Sequence, residues 1–136
     1  MERKFASDFS KFHFLNIRPD MTLIDIDAVQ FRKMEDGSER IRMIEYKHNN
    51  EAHRAMQMEL LGRFNKYTKA LNTIAARTKF ELFMITANFK LDIYGKYRLQ
   101  KLAKIYNFHD DKTKKINEKS LISLLNFTIE WEDLNG

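Results

Sequence analysis

The pattern of hydrophobic and polar positions divides the chain into strand-like and helix-like stretches. From Leu23 onward apolar residues alternate with polar ones, Asp36-Gly37 follows as a turn signal, and strand-like alternation resumes from Ile41 to Lys47. Alternation on both sides of an Asp-Gly pair is typical of a β-hairpin, because side chains two apart on a strand share a face. We therefore predict a hairpin over residues 23–47.

A long amphipathic helix is predicted after the hairpin. Asn49-Asn50 can cap its N-terminus, and Glu51 falls in its first turn. Its apolar residues recur at spacings of three and four and form one stripe, which consists of Met56, Leu60, Phe64, Tyr67, Leu71 and Ile74. We expect the helix to begin near Glu51, to extend into the seventies and to bury this stripe.

The rest of the chain contains one strong pattern and several weaker ones. The run Phe80–Ile85 is almost entirely apolar, which favours a buried strand lying parallel to a neighbour. The weaker elements are a short N-terminal helix around Phe5, Phe9 and Phe12, a strand over 97–105, a loop over 107–115, and a helix over 116–128 capped by Asn117 or Thr113.

This order of elements predicts one α/β domain spanning residues 1–136. A strand hairpin, a crossover helix and a buried strand together form a mixed β-sheet flanked by helices. The composition, with 43% hydrophobic and 32% charged residues, is typical of a soluble protein, and no apolar run is long enough to span a membrane. The N-terminus lacks the apolar segment of a signal peptide, so we expect a cytoplasmic, intracellular location. The absence of cysteine excludes disulfides and thiolate metal sites.

The positive charge of the chain is concentrated in its second half. The net charge is +5, and most of the excess lies between Lys90 and Lys119. A basic surface attracts polyanions, nucleic acid first, although the same lysines could serve only to keep the protein soluble. On the first interpretation, the residues that we expect to contact nucleic acid are Lys96, Arg98, Lys101, Lys104, Lys114 and Lys115.

Acidic and basic side chains converge within the predicted hairpin. If the turn is centred on Asp36-Gly37, Asp27 lies opposite Tyr46 and diagonal to Glu45 and Lys47. Two carboxylates beside an ammonium can hold a hard divalent cation and position a water molecule. The alternative is that Asp25 and Asp27 only form the solvent-exposed face of an edge hairpin, with Lys47 as a cross-strand salt-bridge partner.

These residues resemble the motif of the PD-(D/E)XK nuclease superfamily. Asp27, then Glu45-Tyr46-Lys47 on the next strand, then a helix carrying Gln57 match that motif over residues 23–85. The resemblance implies a restriction-endonuclease-like core and an Mg²⁺ (or Mn²⁺) ion bound by Asp27, Glu45 and the carbonyl of Tyr46. It also implies that Lys47 assists the attacking water and that Gln57 is catalytic. The aromatic residue that the family has four positions after this glutamine is absent.

A second aspartate competes for the role of metal ligand. Pro19-Asp20 matches the letters of the motif, but the hairpin register places Asp20 roughly 20 Å along the sheet from Glu45. That distance is too long for both carboxylates to bind one cation, so we predict Asp27 as the ligand. Further candidates, between which the sequence does not decide, are Glu2, His13 and Asp25.

The sequence therefore predicts a small metal-dependent endonuclease that hydrolyses nucleic-acid phosphodiester bonds. DNA is favoured over RNA as the substrate, and cutting both strands of a duplex with one active site per chain would require a homodimer. Two alternatives remain open. One is an RNA endonuclease that uses His13 near the metal, and the other is a non-catalytic nucleic-acid-binding module of the same fold.

Overall fold

The computed structural model describes residues 12, 15–18, 26–48, 55–74 and 77–135, with the backbone alone at 55–57, 73 and 74. These residues form a five-stranded mixed sheet and two α-helices. The elements are β1 (Ala28–Lys33), β2 (Glu39–His48), α1 (Ala55–Ile74), β3 (Thr78–Leu91), β4 (Tyr97–Asn107), β5 (Lys112–Ile116), α2 (Glu118–Leu125) and a 3₁₀ helix (Trp131–Asp133). The α/β class is confirmed, whereas most of the predicted N-terminal helix lies outside the described residues.

The predicted hairpin is formed by β1 and β2, but its register differs by one residue from the expected one. Lys33 pairs with Glu39 and Ala28 with Ile44, so extending the ladder by one residue sets Asp27 opposite Glu45 rather than Tyr46. The cause is the connection over residues 34–38, whose odd number of residues centres the turn on Asp36. The Asp36 carboxylate accepts hydrogen bonds from both the N–H and the hydroxyl of Ser38, which fixes this turn.

The strand predicted over Phe80–Ile85 is confirmed as the centre of the sheet. β3 pairs in parallel with β2 and antiparallel with β4, and the sheet order is β1-β2-β3-β4-β5. A parallel connection needs a crossover, and α1 lies between the two strands in the chain. Of the helices that the structure describes, none is long and apolar enough to cross a membrane.

α1 covers one face of the sheet, but with only part of the predicted stripe, of which Phe64 packs against the core. Leu61 is completely buried against the β2 and β3 side chains, together with Asn65 and Thr68, whereas Tyr67 and Leu71 are exposed. The predicted stripe is therefore wrong at these two positions. The polar residues can be buried because Asn65 donates to the carbonyl of Phe108 at 3.0 Å and the Thr68 hydroxyl donates to the carbonyl of Asn65 at 3.0 Å.

α2 and the chain after it cover the opposite face. Leu121 and Leu124 of α2 pack with Trp131 on Phe83 and its neighbours in β3 and β4. The predicted helix over 116–128 is confirmed over its central part, with Asn117 as the cap. The loop predicted over 107–115 is confirmed only at residues 108–111, which form a turn, and is wrong beyond it, because residues 112–116 form β5 beside β4. Its alternating polar side chains lie at the sheet edge, where apolar residues are not required.

A network of charged residues is buried on this same face. Glu81 accepts hydrogen bonds from Arg40 at 2.6 Å and from Arg42 at 3.1 Å, and Arg40 also donates to both carboxylate oxygens of Glu130. Arg42 is fully buried and lies 4.1 Å from the centroid of the Phe127 ring. Burial lowers the pKa of Arg42, whereas hydrogen bonds from Arg40 lower the pKa of Glu130. The network joins β2 and β3 to the segment that follows α2.

Removal of the α2 cap gives a first test of the fold. The side chain of Asn117 accepts a hydrogen bond at 2.9 Å from the backbone N–H of Ser120, which satisfies one of the open donors of the helix. We expect Asn117→Ala to reduce the free energy of unfolding by about 1 kcal/mol in urea titrations. The exposed Asn135→Ala serves as the control, and an equal effect in both variants would contradict the capping role.

Candidate functional site

The carboxylate of Asp27 is held at the end of β1 by the backbone of β2. Its Oδ2 accepts a hydrogen bond from the N–H of Tyr46 at 2.7 Å. The N–H and the carbonyl of one strand residue point to the same side, so the Tyr46 carbonyl also projects toward the edge where Asp27 lies. The geometry therefore brings the Asp27 carboxylate to the backbone of Tyr46.

Glu45 and Lys47 lie side by side on the face of the sheet that α1 covers. Glu45 is only 4% exposed, and its Oε1 lies 3.6 Å from the Nζ of Lys47. The face follows from strand alternation, because Met43 of the same strand packs against Leu61 of α1. A buried carboxylate is costly without a compensating charge or hydrogen bonds, and the Lys47 ammonium supplies part of that compensation.

A row of cross-strand partners extends from Lys47 across the sheet. Lys47 pairs with Thr86, Thr86 with Lys104, and Lys104 with Lys115. Cross-strand partners share a face, and neighbouring strands lie about 4.8 Å apart, so the row spans roughly 14 Å. We call these residues the lysine row. Lys104 and Lys115 are exposed, and the row begins beside the Glu45 carboxylate.

The predicted nucleic-acid contacts differ in what their side chains already bind. Two of them contact the protein itself: Arg98 donates to the carboxylate of Glu118 at 2.6 and 2.9 Å, and Lys114 donates to the carbonyl of Trp131 at 2.8 Å. The hydrogen bonds from Arg98 lower the pKa of Glu118. The other predicted contacts are exposed, namely Lys96, Lys101, Lys104 and Lys115.

Tyr106 lies in the neighbouring row of the same face, since its Cα pairs with Met84, the partner of Glu45. Burial, together with its hydrogen bond to the Asp111 carboxylate, raises the pKa of Tyr106 to about 12. The phenol is therefore protonated at neutral pH and donates to Asp111. It cannot act as a general base there.

The donor set near the end of β1 fits a hard cation in its chemistry. Asp27, Glu45 and the Tyr46 carbonyl supply oxygen atoms, and Mg²⁺ is commonly bound by one or two carboxylates together with substrate oxygens and water. Within the described ranges, no group of three or more His, Asp and Glu side chains is close enough to hold a metal ion. Any site here would thus depend on the backbone oxygen and on substrate.

Several predicted site residues lie outside the described residues, either entirely or in their side chains. α1 includes the backbone of Gln57, but its side chain lies outside what the structure describes. The same holds for all atoms of Glu2, His13, Asp20 and Asp25. Among the described residues, the sequence reasoning missed the role of Thr86 in the lysine row. Only the strand pairing reveals this position, because Thr86 lies between Lys47 and Lys104, which are far apart in the sequence.

Comparison with known proteins adds no family to this picture: no family model matches the chain, and no curated protein matches it significantly.

Proposed function

We propose that the protein is a metal-dependent endonuclease of the PD-(D/E)XK type that hydrolyses phosphodiester bonds in DNA. The observation that carries this proposal is the 2.7 Å hydrogen bond from the Tyr46 N–H to Asp27, which anchors one carboxylate to the backbone of the residue between Glu45 and Lys47. The order of hairpin, crossover helix and parallel strand agrees with the core that this resemblance implies.

In this mechanism the residues of the hairpin arrange charge around the scissile phosphate. A divalent cation, when bound, lowers the pKa of a coordinated water and neutralises charge that develops on phosphorus. Asp27, Glu45 and the Tyr46 carbonyl would hold the cation. The hydrogen bond from Tyr46 fixes the orientation of the Asp27 carboxylate, so little reorganisation is required at the moment of reaction.

Lys47 would act on the reacting oxygens. Its ammonium lies 3.6 Å from the Glu45 carboxylate. Its cross-strand partner Thr86 is in turn paired with the exposed Lys104. The attacking water gives up a proton as its oxygen bonds to phosphorus, the bond from phosphorus to the leaving sugar oxygen breaks, and the leaving oxygen takes up a proton. A lysine in this place orients the water and stabilises the negative charge that grows on the phosphoryl oxygens.

Substitution of Lys47 tests the proposed chemistry. We expect Lys47→Ala to lower the single-turnover nicking rate of plasmid DNA in Mg²⁺ or Mn²⁺ by at least about 100-fold. DNA affinity in a gel shift should change little, because one ammonium among many contributes little to phosphate binding. Lys33→Ala, at the exposed end of β1, is the matched control.

The outcomes distinguish a DNA endonuclease that uses Lys47 from a non-catalytic binding module and from an RNA endonuclease. Nicking by Lys47→Ala at the wild-type rate would remove Lys47 from the mechanism. DNA binding by the wild type with no cleavage in either metal would support a non-catalytic binding module. Cleavage restricted to RNA would favour the RNA endonuclease. Thermal melting of both variants shows whether loss of activity reflects unfolding, since Glu45 stays buried in Lys47→Ala.

A further inference from the structure

β3 and β4 continue past the rest of the sheet as a two-stranded ribbon. β2 is paired with β3 as far as His48 and Ala87, and β5 with β4 from Ala103. Within the described residues, β3 from Asn88 onward therefore pairs with β4 alone. We call residues 88–100 the arm. At about 3.4 Å per residue, its paired strands and turn extend more than 10 Å from the sheet.

The arm has a defined turn at its tip. The Asp92 carboxylate accepts hydrogen bonds from the N–H of Tyr94 at 2.8 Å and of Lys96 at 2.9 Å. The Asp92 N–H also donates to the Lys96 carbonyl at 2.7 Å, and Gly95 adopts a φ of 76°, which a residue with a side chain would rarely accept. These contacts hold Ile93 and Tyr94 at the outermost point.

The tip and one face of the arm expose large apolar side chains. Ile93 is 91% exposed, Tyr94 80% and Tyr97 74%. Phe89 and Leu91 lie on the same face of the ribbon as Tyr97, because Leu91 pairs with Tyr97 and alternate residues share a face. Contiguous exposed apolar surface of this kind marks an interaction site.

The other face of the arm is polar and continues the face that carries Glu45 and Lys47. Thr86, Asn88 and Lys90 are alternate residues of β3, and Thr86 is the cross-strand partner of Lys47. Lys101 follows the arm in a bulge, where residues 101–103 of β4 face only Ala87 of β3. Among the described residues, no ion pair neutralises the exposed lysines Lys90, Lys96 and Lys101.

We propose that the arm binds duplex DNA, with Lys90, Lys96 and the adjoining Lys101 (together the arm lysines) on phosphates and Ile93 and Tyr94 inserted in a groove. The major groove of B-DNA is about 12 Å wide and admits a two-stranded β-ribbon. The charge favours this occupant over a second copy of the chain, because two arms would bring lysines against lysines. A duplex of RNA fits poorly, since its deep, narrow major groove excludes such an element.

The lysines and the tip have separable effects on binding. Each phosphate that a lysine neutralises releases counterions, so each contact adds about −0.9 to the slope of log affinity against log salt concentration. Apolar contacts at the tip are insensitive to salt. This proposal shares with the proposed function only the assumption that the ligand is DNA. It requires no cleavage, and binding is therefore measured in a chelator without divalent cation.

Fluorescence anisotropy of the full chain with a labelled 30-base-pair DNA duplex tests the arm. We expect a wild-type log–log salt slope near −4, and a slope shallower by about 2–3 when Lys90, Lys96 and Lys101 are changed to Gln. Ile93→Ser with Tyr94→Ser should weaken binding roughly tenfold at an unchanged slope. The control changes the exposed Lys33, Lys66 and Lys69 to Gln, which removes the same charge elsewhere.

Equal slopes for the arm-lysine and control variants would overturn the proposal, as would wild-type affinity in the tip variant or equal binding of an RNA duplex. A dimer in sedimentation that the tip substitutions dissociate, with DNA binding unchanged, would assign the arm to self-association and also overturn the proposal.

Two further outcomes distinguish the arm from the proposed nuclease. Arm-dependent DNA binding without nicking in Mg²⁺ or Mn²⁺ would support DNA binding by the arm and reject the nuclease. Nicking by the wild type, together with normal DNA binding by the arm variants, would support the nuclease and reject DNA binding by the arm.

Discussion

Asp27→Asn should abolish Mn²⁺ binding in calorimetric titrations and lower DNA cleavage by at least about 1,000-fold. The expected loss follows from the several kcal/mol of transition-state stabilisation that a catalytic metal supplies, since 1.36 kcal/mol corresponds to a factor of ten in rate. The asparagine side chain keeps an oxygen that can accept the hydrogen bond from the Tyr46 N–H. The substitution therefore removes the charge while preserving the contact that holds the end of β1 against β2.

A matched substitution distinguishes this aspartate from the competing one. Asp20→Asn should leave Mn²⁺ binding and cleavage nearly unchanged, because the register of β1 and β2 brings Asp27, and not a residue farther from the turn, to Glu45. Asp110→Asn, an exposed acid beyond β4, controls for the change in net charge. Loss of binding in Asp20→Asn with retention in Asp27→Asn would assign the metal to Asp20 and reject both the predicted pairing and the proposed site.

The second large effect concerns stability and comes from the buried charges around Glu81. Glu81→Gln should lower the free energy of unfolding by about 3–5 kcal/mol, because it removes the charge that Arg40 and Arg42 share while both guanidinium groups stay buried. The cost should appear as a lower urea midpoint at an unchanged m-value. Hydrogen bonds that Arg40 and Arg42 donate to the remaining amide oxygen do not replace the lost charge.

An exposed ion pair provides the control for this prediction. Glu59 and Arg63 lie one turn apart on α1, with an Oε1–Nη2 distance of 2.7 Å and more than 60% of each side chain exposed. Glu59→Gln should therefore cost less than about 1 kcal/mol. Similar costs for Glu59→Gln and Glu81→Gln would mean that the buried network does not join β2 and β3 to the C-terminal segment.

Local patterns predicted the fold where burial is simple and failed where it depends on pairing. The apolar run Phe80–Ile85 could be recognised because both of its faces are covered, by α1 and by α2. β5 could not, since this edge strand has only one apolar residue, the buried Ile116, and gains its structure from its pairing with β4. Asn65 and Thr68 were missed for a related reason: their burial depends on partners more than 35 residues away or on one turn of the helix itself.

The candidate site was predictable only in part. Glu45-Tyr46-Lys47 and Asp27 belong to one hairpin, and a turn signal brings them together with an error of one residue. The lysine row was not predictable, because it joins Lys47 to Lys104 and Lys115 through Thr86, and no local pattern specifies which residues of four strands share a row. The arm was not predicted, because it is defined by the points at which β2 and β5 stop pairing with β3 and β4, and no local pattern marks those points.

The parallel pairing of β2 with β3 has a consequence for the order of folding. The β1–β2 hairpin and the β3–β4–β5 meander each form through contacts that are close in sequence, whereas β2 and β3 can pair only after the chain through α1 has closed a long loop. We expect this closure to limit the folding rate. The carboxylates on the hairpin would then come together early, and the lysine row would be complete only when β2 and β3 have paired.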